Sequence, residues 1–191
     1  MKVLYIHGLS SSGSSNTPQL LRKYMPEAEV ISPDLPTDIG EAVEFLQALV
    51  AEQGVDVVVG TSMGGMLAQK LRGYRKILVN PAFHLSQSMR RKLGVNQFFS
   101  PRADGATEYT ITEHMCQRSY QIEQSQFADL PQSEIDNTAA LFGMQDDVVD
   151  CRLEYLEHYT KIHYFNGGHR LDEQTIAQTL VPLIRDMAAK V

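Results

Sequence analysis

A chain of 191 residues fits one domain and is long enough to bury a core without disulfides or a structural metal. Its composition, 43% hydrophobic and 21% charged, is that of a soluble globular protein, and a net charge of -6 speaks against a nucleic-acid backbone or an anionic membrane as main partner. No apolar stretch approaches a membrane span, Met1–His7 is too short for a signal peptide, and Cys116 and Cys151 form no disulfide framework, so reduced thiols in the cytoplasm are expected.

Lys2 to Ile6 is an apolar strand, broken by His7-Gly8-Leu9. Ser10 to Asn16 is almost all serine and glycine and reads as a loop. Thr17-Pro18 looks like an N-cap with proline at the first helical position, and the helix runs through Leu20, Leu21 and Tyr24 to Pro26. Glu29 to Ser32 is a second strand. After the loop Pro33 to Pro36, Thr37 or Asp38 starts a helix with Ile39, Val43, Leu46, Leu49 and Val50 at helical spacing, closed by Gly54. Val55 to Val59 is a third strand, which turns sharply at Ser62 into a helix reaching about Arg72. Arg75 to Asn80 is a fourth, ended by Pro81.

From Phe83 to about Ser133 the alternation blurs. Short helices are expected near Leu85–Leu93 and Glu113–Gln124, with a loop from Ser100 to Gly105. This segment, 83–133, is expected to form a small cap. Thr138 to Gly143 is a fifth strand, Arg152 to Tyr159 a helix and Lys161 to Phe165 a sixth strand. A last helix from Asp172 carries Ile176, Leu180, Leu183, Ile184 and Met187. Apolar strands alternating with amphipathic helices predict one α/β domain over residues 1–191, a parallel sheet with helices on both faces. Ligands bind beyond the carboxyl ends of such strands. Ser62, His7 to Leu9, Asp146, Asp147 and His169 all follow strand ends on that rim.

Gly60-Thr61-Ser62-Met63-Gly64-Gly65 places a serine at the tip of a strand-to-helix turn, its hydroxyl clear of the sheet. Glycine-rich turns of this kind also cradle phosphates, but the stretch lacks Gly-x-x-x-x-Gly-Lys-[Ser/Thr] and does not fit Gly-x-Gly-x-x-Gly. A serine hydroxyl needs a base to take its proton and a carboxylate to orient that base. Gly167-Gly168-His169 supplies the histidine after the last strand. Asp146 or Asp147 supplies the acid after the strand before it, giving the chain order Ser, Asp, His. The oxyanion hole draws on the N–H of the residue after the nucleophile, Met63, and on the loop after the first strand.

His7-Gly8-Leu9-Ser10-Ser11-Ser12, Gly60-Thr61-Ser62-Met63-Gly64-Gly65, Val79-Asn80-Pro81-Ala82 and Gly167-Gly168-His169 together resemble the YqiA-type bacterial esterases, the UPF0227 group. The resemblance covers most of the chain and is weakest over 83–133. It implies a reduced α/β-hydrolase fold lacking the first two antiparallel strands, with six parallel strands in the order 2-1-3-4-5-6. It implies hydrolysis of short acyl esters or thioesters. It makes Leu9 the second oxyanion donor, and its Gly-x-x-Asp pattern, followed here by Val148-Val149, implies Asp146 as the acid.

The expected function is therefore a serine esterase acting on a small-molecule acyl ester through Ser62, Asp146 and His169, with no cofactor and no metal. A thioesterase or acyltransferase would share the acyl-enzyme, and a binding module on the same fold is the non-enzymatic alternative. Phe83, Leu85 and Met89, with Leu93, Phe98 and Phe99, are expected to wall a modest acyl pocket. His7 is expected to be structural. His84 and His114 read as surface or pocket lining, His158 as a helix-end cation, and His163 as a packed or edge residue. Arg90-Arg91-Lys92 reads as a solvated helix end.

Overall fold

The computed structural model describes residues 1–189. In chain order its elements are β1 (Lys2–Ile6), α1 (Asn16–Tyr24), β2 (Glu29–Ile31), α2 (Ile39–Gln53), β3 (Val57–Thr61), α3 (Met63–Lys70), β4 (Arg75–Val79) and α4 (Leu85–Arg90). There follow β5 (Gly94–Gln97), β6 (Glu108–Ile111), α5 (Glu113–Gln124), α6 (Gln132–Asp136), β7 (Thr138–Gly143), α7 (Arg152–His158), β8 (Lys161–Phe165), α8 (Glu173–Thr175) and α9 (Val181–Ala189). One turn between α8 and α9, Ile176–Leu180, widens to a π-helix. It ends beside Pro182, whose missing N–H cannot continue the ordinary ladder.

Six strands form one parallel sheet in the order β2-β1-β3-β4-β7-β8, which is the expected order of the six strands read from the sequence. The register aligns Ile6 with Gly60, Thr61 with Val79 and Gly143 with Phe165, so the carboxyl ends of five strands share a rim. Alternate residues of each strand enter opposite cores. Leu4, Ile6, Val58, Leu78, Ala140 and Phe142 face α2, α3 and the cap. Val3, Tyr5, Val59, Ile77, Val79 and Leu141 face α1 and the C-terminal helices. Each fully buried large aliphatic side chain contributes about 1.5–3 kcal/mol, which explains why the central strands are apolar on both faces. No helix among the described residues is long and apolar enough to cross a membrane. Cys116 and Cys151 are free and buried.

Two local expectations change. α1 starts at Asn16 with Ser15 as N-cap, which puts Pro18 third in the helix; the first turn has no intrahelical N–H bonds to lose there, so proline is tolerated. The segment 83–133 holds α4 and α5 as expected, but also the antiparallel hairpin of β5 and β6. Its strands are short and polar, only Tyr109 and Ile111 of β6 are buried, and a long loop replaces the two-residue turn that would have signalled it. The serine loop is not slack. Ser12 Oγ donates to Pro101 O (2.7 Å), Ser14 Oγ donates to the same carbonyl, and Phe99 N–H donates to Ser10 O (2.7 Å), so the hairpin loop lies against it.

Candidate active site

Ser62 sits between β3 and α3 with φ 57° and ψ -117°, a conformation that costs on the order of 1–3 kcal/mol for a residue with a side chain. The close approach explains the flanking glycines. A Cβ on Gly60 would lie 2.0 Å from Gly64 O, and one on Gly64 would lie 2.0 Å from Ile6 O. The end of β4 clamps the strained turn from both sides: Ser62 N–H donates to Val79 O (2.9 Å), and Ala82 N–H donates to Ser62 O (3.0 Å).

Asp146 and His169 meet at the same rim. His169 Nδ1 lies 2.7 Å from Asp146 Oδ2. The other carboxylate oxygen accepts from Val148 N–H (2.9 Å) and Val149 N–H (3.0 Å). The Asp146 side chain is 4% exposed and that of His169 18%, so the couple is shielded while the ring still reaches solvent. This contact fixes the ring and leaves Nε2 without a hydrogen-bond partner among the described residues. Asp147, the adjacent candidate, is exposed, and the hydrogen bond and ion pair of His169 go to Asp146 instead. The Ser62 hydroxyl and His169 are not hydrogen-bonded here; such contacts often tighten only with substrate.

The turns carrying acid and base are tied together. Met144 N–H donates to Phe165 O (3.0 Å) and Gln145 N–H to Gly167 O (2.9 Å). Asn80 completes the tie. It is fully buried, has φ 42°, and follows β4 directly. Its Nδ2 donates to Gly168 O (3.2 Å) and His169 O (3.1 Å), while its Oδ1 accepts from Gly143 N–H (2.8 Å). One amide thus links the strand that clamps Ser62 to both partner loops. In the sequence Asn80 stands only as the end of the fourth strand and within the family resemblance, with no role of its own. Its signal was a polar residue closing an apolar strand just before Pro81.

Leu9 and Met63 flank one small cavity, and neither N–H donates to another group among the described residues. The cavity is about 10 Å³ and is also lined by Leu35, Phe98, Arg102 and Tyr109. Of the expected pocket residues, only Phe98 is there. Phe83, Leu85 and Met89 are 0–2% exposed in the core and line no part of this cavity, because α4 turns its apolar face onto α5. Phe99 and Leu93 are exposed.

None of the remaining histidines hydrogen-bonds to Ser62 among the described residues. His7 is buried; Nδ1 donates to Gly8 O (2.8 Å) and Nε2 accepts from Leu35 N–H (3.3 Å), which requires the neutral ring. Burial holds its pKa below the ordinary histidine value. His84 pairs with Glu154 (2.8 Å), and His158 stacks on Phe127. His114 and His163 are exposed, the latter on the edge strand β8. Arg90, Arg91 and Lys92 are exposed, as expected of a helix end. No cluster of three or more His, Cys, Asp or Glu side chains that could hold a metal occurs among the described residues.

The sequence profile described as uncharacterised protein family UPF0227 matches residues 2–183. The chain belongs to UPF0227. Among solved structures, UPF0227's fold, as this chain displays it, is similar to that of α/β-hydrolase domain-containing protein 10 from mouse, with TM-score 0.69 and 14% identity, covering 99% of this chain and 90% of that one. Est1E from Butyrivibrio proteoclasticus gives TM-score 0.67 at 12% identity, covering 99% and 88%. A putative aryl esterase from Burkholderia cenocepacia gives 0.60 at 15% identity, covering 99% and 91%. The fold is that of the α/β-hydrolases.

Proposed function

We propose that this UPF0227 protein is a serine hydrolase cleaving esters of short-chain carboxylic acids through an acyl-enzyme. The observation that carries the reading is the shielded 2.7 Å contact between His169 Nδ1 and Asp146, on the rim that also holds the strained Ser62 turn. His169 Nε2 takes the Ser62 proton as Oγ attacks the ester carbonyl, and Asp146 stabilises the imidazolium. The free N–H groups of Leu9 and Met63 receive the oxyanion; one such donor is typically worth about 10²–10³ in rate. His169 then returns the proton to the leaving alcohol, and water, activated by the same ring, releases the acid. The small size of the cavity beside Leu9 and Met63 argues against a long acyl chain there. The likeness to a protein described as a putative aryl esterase supports ester chemistry.

The test is labelling with a fluorophosphonate followed by peptide mapping, alongside turnover of p-nitrophenyl butyrate. The label is expected on Ser62, and Ser62→Ala is expected to lose both label and turnover while keeping its melting temperature. A folded wild-type chain that neither labels nor turns over would make the fold a binding module. Full turnover by folded Ser62→Ala would remove the mechanism.

A further inference from the structure

A second, larger space lies beside the candidate acyl cavity. It is a cleft of about 530 Å³ bounded by the serine loop, the turn after β2 and the hairpin loop. The small cavity and this cleft share a single lining residue, Arg102. We propose that Arg102 is the specificity-determining wall between them, and that the outer cleft is an acyl-chain subsite that Arg102 closes. This rests on the hydrolase reading above.

The wall is built, not incidental. The Arg102 side chain is 9% exposed. Its guanidinium lies over the Phe98 ring at 4.6 Å, and Nη1 donates to Leu35 O (3.2 Å). Nε and Nη2 donate to Asp104 (3.2 and 3.1 Å), a carboxylate that is 54% exposed. The inner ties therefore hold the side chain across the gap, and the outer one leads to solvent.

The cleft's chemistry favours hydrocarbon. Many of its polar groups already have protein partners. Asp34 accepts from Gly13 N–H (2.8 Å) and Ala103 N–H (2.7 Å), and Ser32 Oγ donates to Gly13 O (2.8 Å). Ser14 Oγ donates to Pro101 O, Gln19 Nε2 to Ser14 O (2.6 Å) and Arg22 to Val30 O (3.0 Å). Pro33, Pro101 and Ala103 add apolar lining, alongside the exposed Arg22. With Arg102 in place, the space beside Leu9 and Met63 has room for about one water molecule, so an acyl chain extending that way is stopped. With Arg102 removed, the same path opens into a volume large enough for a medium-length chain.

Two measurements test this, one through turnover and one without it. In the first, kcat/KM is compared for p-nitrophenyl butyrate and octanoate below the micelle limit. Arg102→Ala is expected to raise the octanoate-to-butyrate ratio by about tenfold or more, as expected for added methylenes entering an apolar pocket. Ala103→Phe, which fills the outer cleft, is expected to cancel the rise in the Arg102→Ala background. If Arg102→Ala does not fold, Arg102→Leu keeps packing on Phe98, shortens the wall and carries the same expectation. In the second, calorimetry follows octanoate binding in a Ser62→Ala background. Binding is expected to tighten on loss of Arg102 and to weaken again with Ala103→Phe. An unchanged ratio in a folded variant, or a rise that survives Ala103→Phe, overturns the proposal. If no ester is cleaved but octanoate binding responds to both substitutions, the hydrolase reading fails and the subsite stands. Octanoate binding that ignores both substitutions overturns the subsite.

Discussion

A fully buried polar side chain stands near the start of β4 and another just past its end, and the two are solved differently. At the amino end Lys76 is charged. Its Nζ pairs with Glu134 and donates to Leu71 O (2.8 Å), and the other Glu134 oxygen accepts from Gly73 N–H (2.5 Å). Just past the carboxyl end Asn80 is neutral and spends its amide on three backbone groups of the loops that hold Asp146 and His169. Far from the rim, a closed ion pair disturbs nothing and fixes how α6 meets the sheet. Beside an Asp–His couple, another charge would compete for the proton shared between Asp146 and His169 in the proposed mechanism. A neutral amide sets geometry there without biasing charge.

The comparison can be broken from either end. The largest effect belongs to the rim. Asp146→Asn, which favours the wrong imidazole tautomer, is expected to lower kcat by about 10⁴, and Asp147→Asn by less than about tenfold. Steady-state kinetics on a short ester checks both, and the reverse ranking would move the acid to Asp147. Next comes the buried pair. Lys76→Met leaves Glu134 buried without its cation and is expected to cost about 3–5 kcal/mol in denaturant unfolding. Its kcat/KM should stay within a few-fold of wild type, and the double variant with Glu134→Leu should recover most of the loss; a rate collapse in a folded Lys76→Met would erase the contrast drawn here.

Asn80→Ala is expected to lose about 10² in kcat/KM through misplaced loops. Asn80→Asp, which sets an acceptor against the Gly168 and His169 carbonyls, should fall at least as far and also reshape the pH–rate profile. A purely structural role would lower melting temperature and leave that profile alone. The smallest effect concerns His7, neutral like Asn80. Burial depresses its folded-state pKa, so below about pH 6.5 the unfolded chain takes up the proton first. The stability His7 contributes is therefore intact above that pH and is lost as pH falls toward the folded value. Melting temperature should decline more steeply from pH 7 to 5 in wild type than in His7→Gln.

How much of this was legible follows from range. The strands announced themselves because burial on both faces leaves runs such as Val57-Val58-Val59. The rim positions of Ser62, His169 and the adjacent Asp146 and Asp147 were legible because each sits on a turn whose glycines and spacing are local, while Asp146 over Asp147 came only from the family resemblance. The hairpin was not, since Gly94 to Gln97 carries no strand-like pattern and acquires its pairing only from Glu108 to Ile111. Phe83, Leu85 and Met89 have the right chemistry for a pocket wall, yet only packing, of α4 on α5 and of Phe83 on Phe127, decides that they fill the core instead.

Residue order alone therefore settles what depends on near neighbours: period, turn chemistry, strand succession and the three groups set on one rim. Tertiary structure settles what depends on closure across long separations. It selects Asp146 over Asp147 as the partner of His169, aims Asn80 at residues 63, 88 and 89 positions away, and places Arg102 between two cavities. A hydrogen bond or a shared wall needs atoms within a few ångströms, and for groups so far apart in the chain only the folded sheet brings them there.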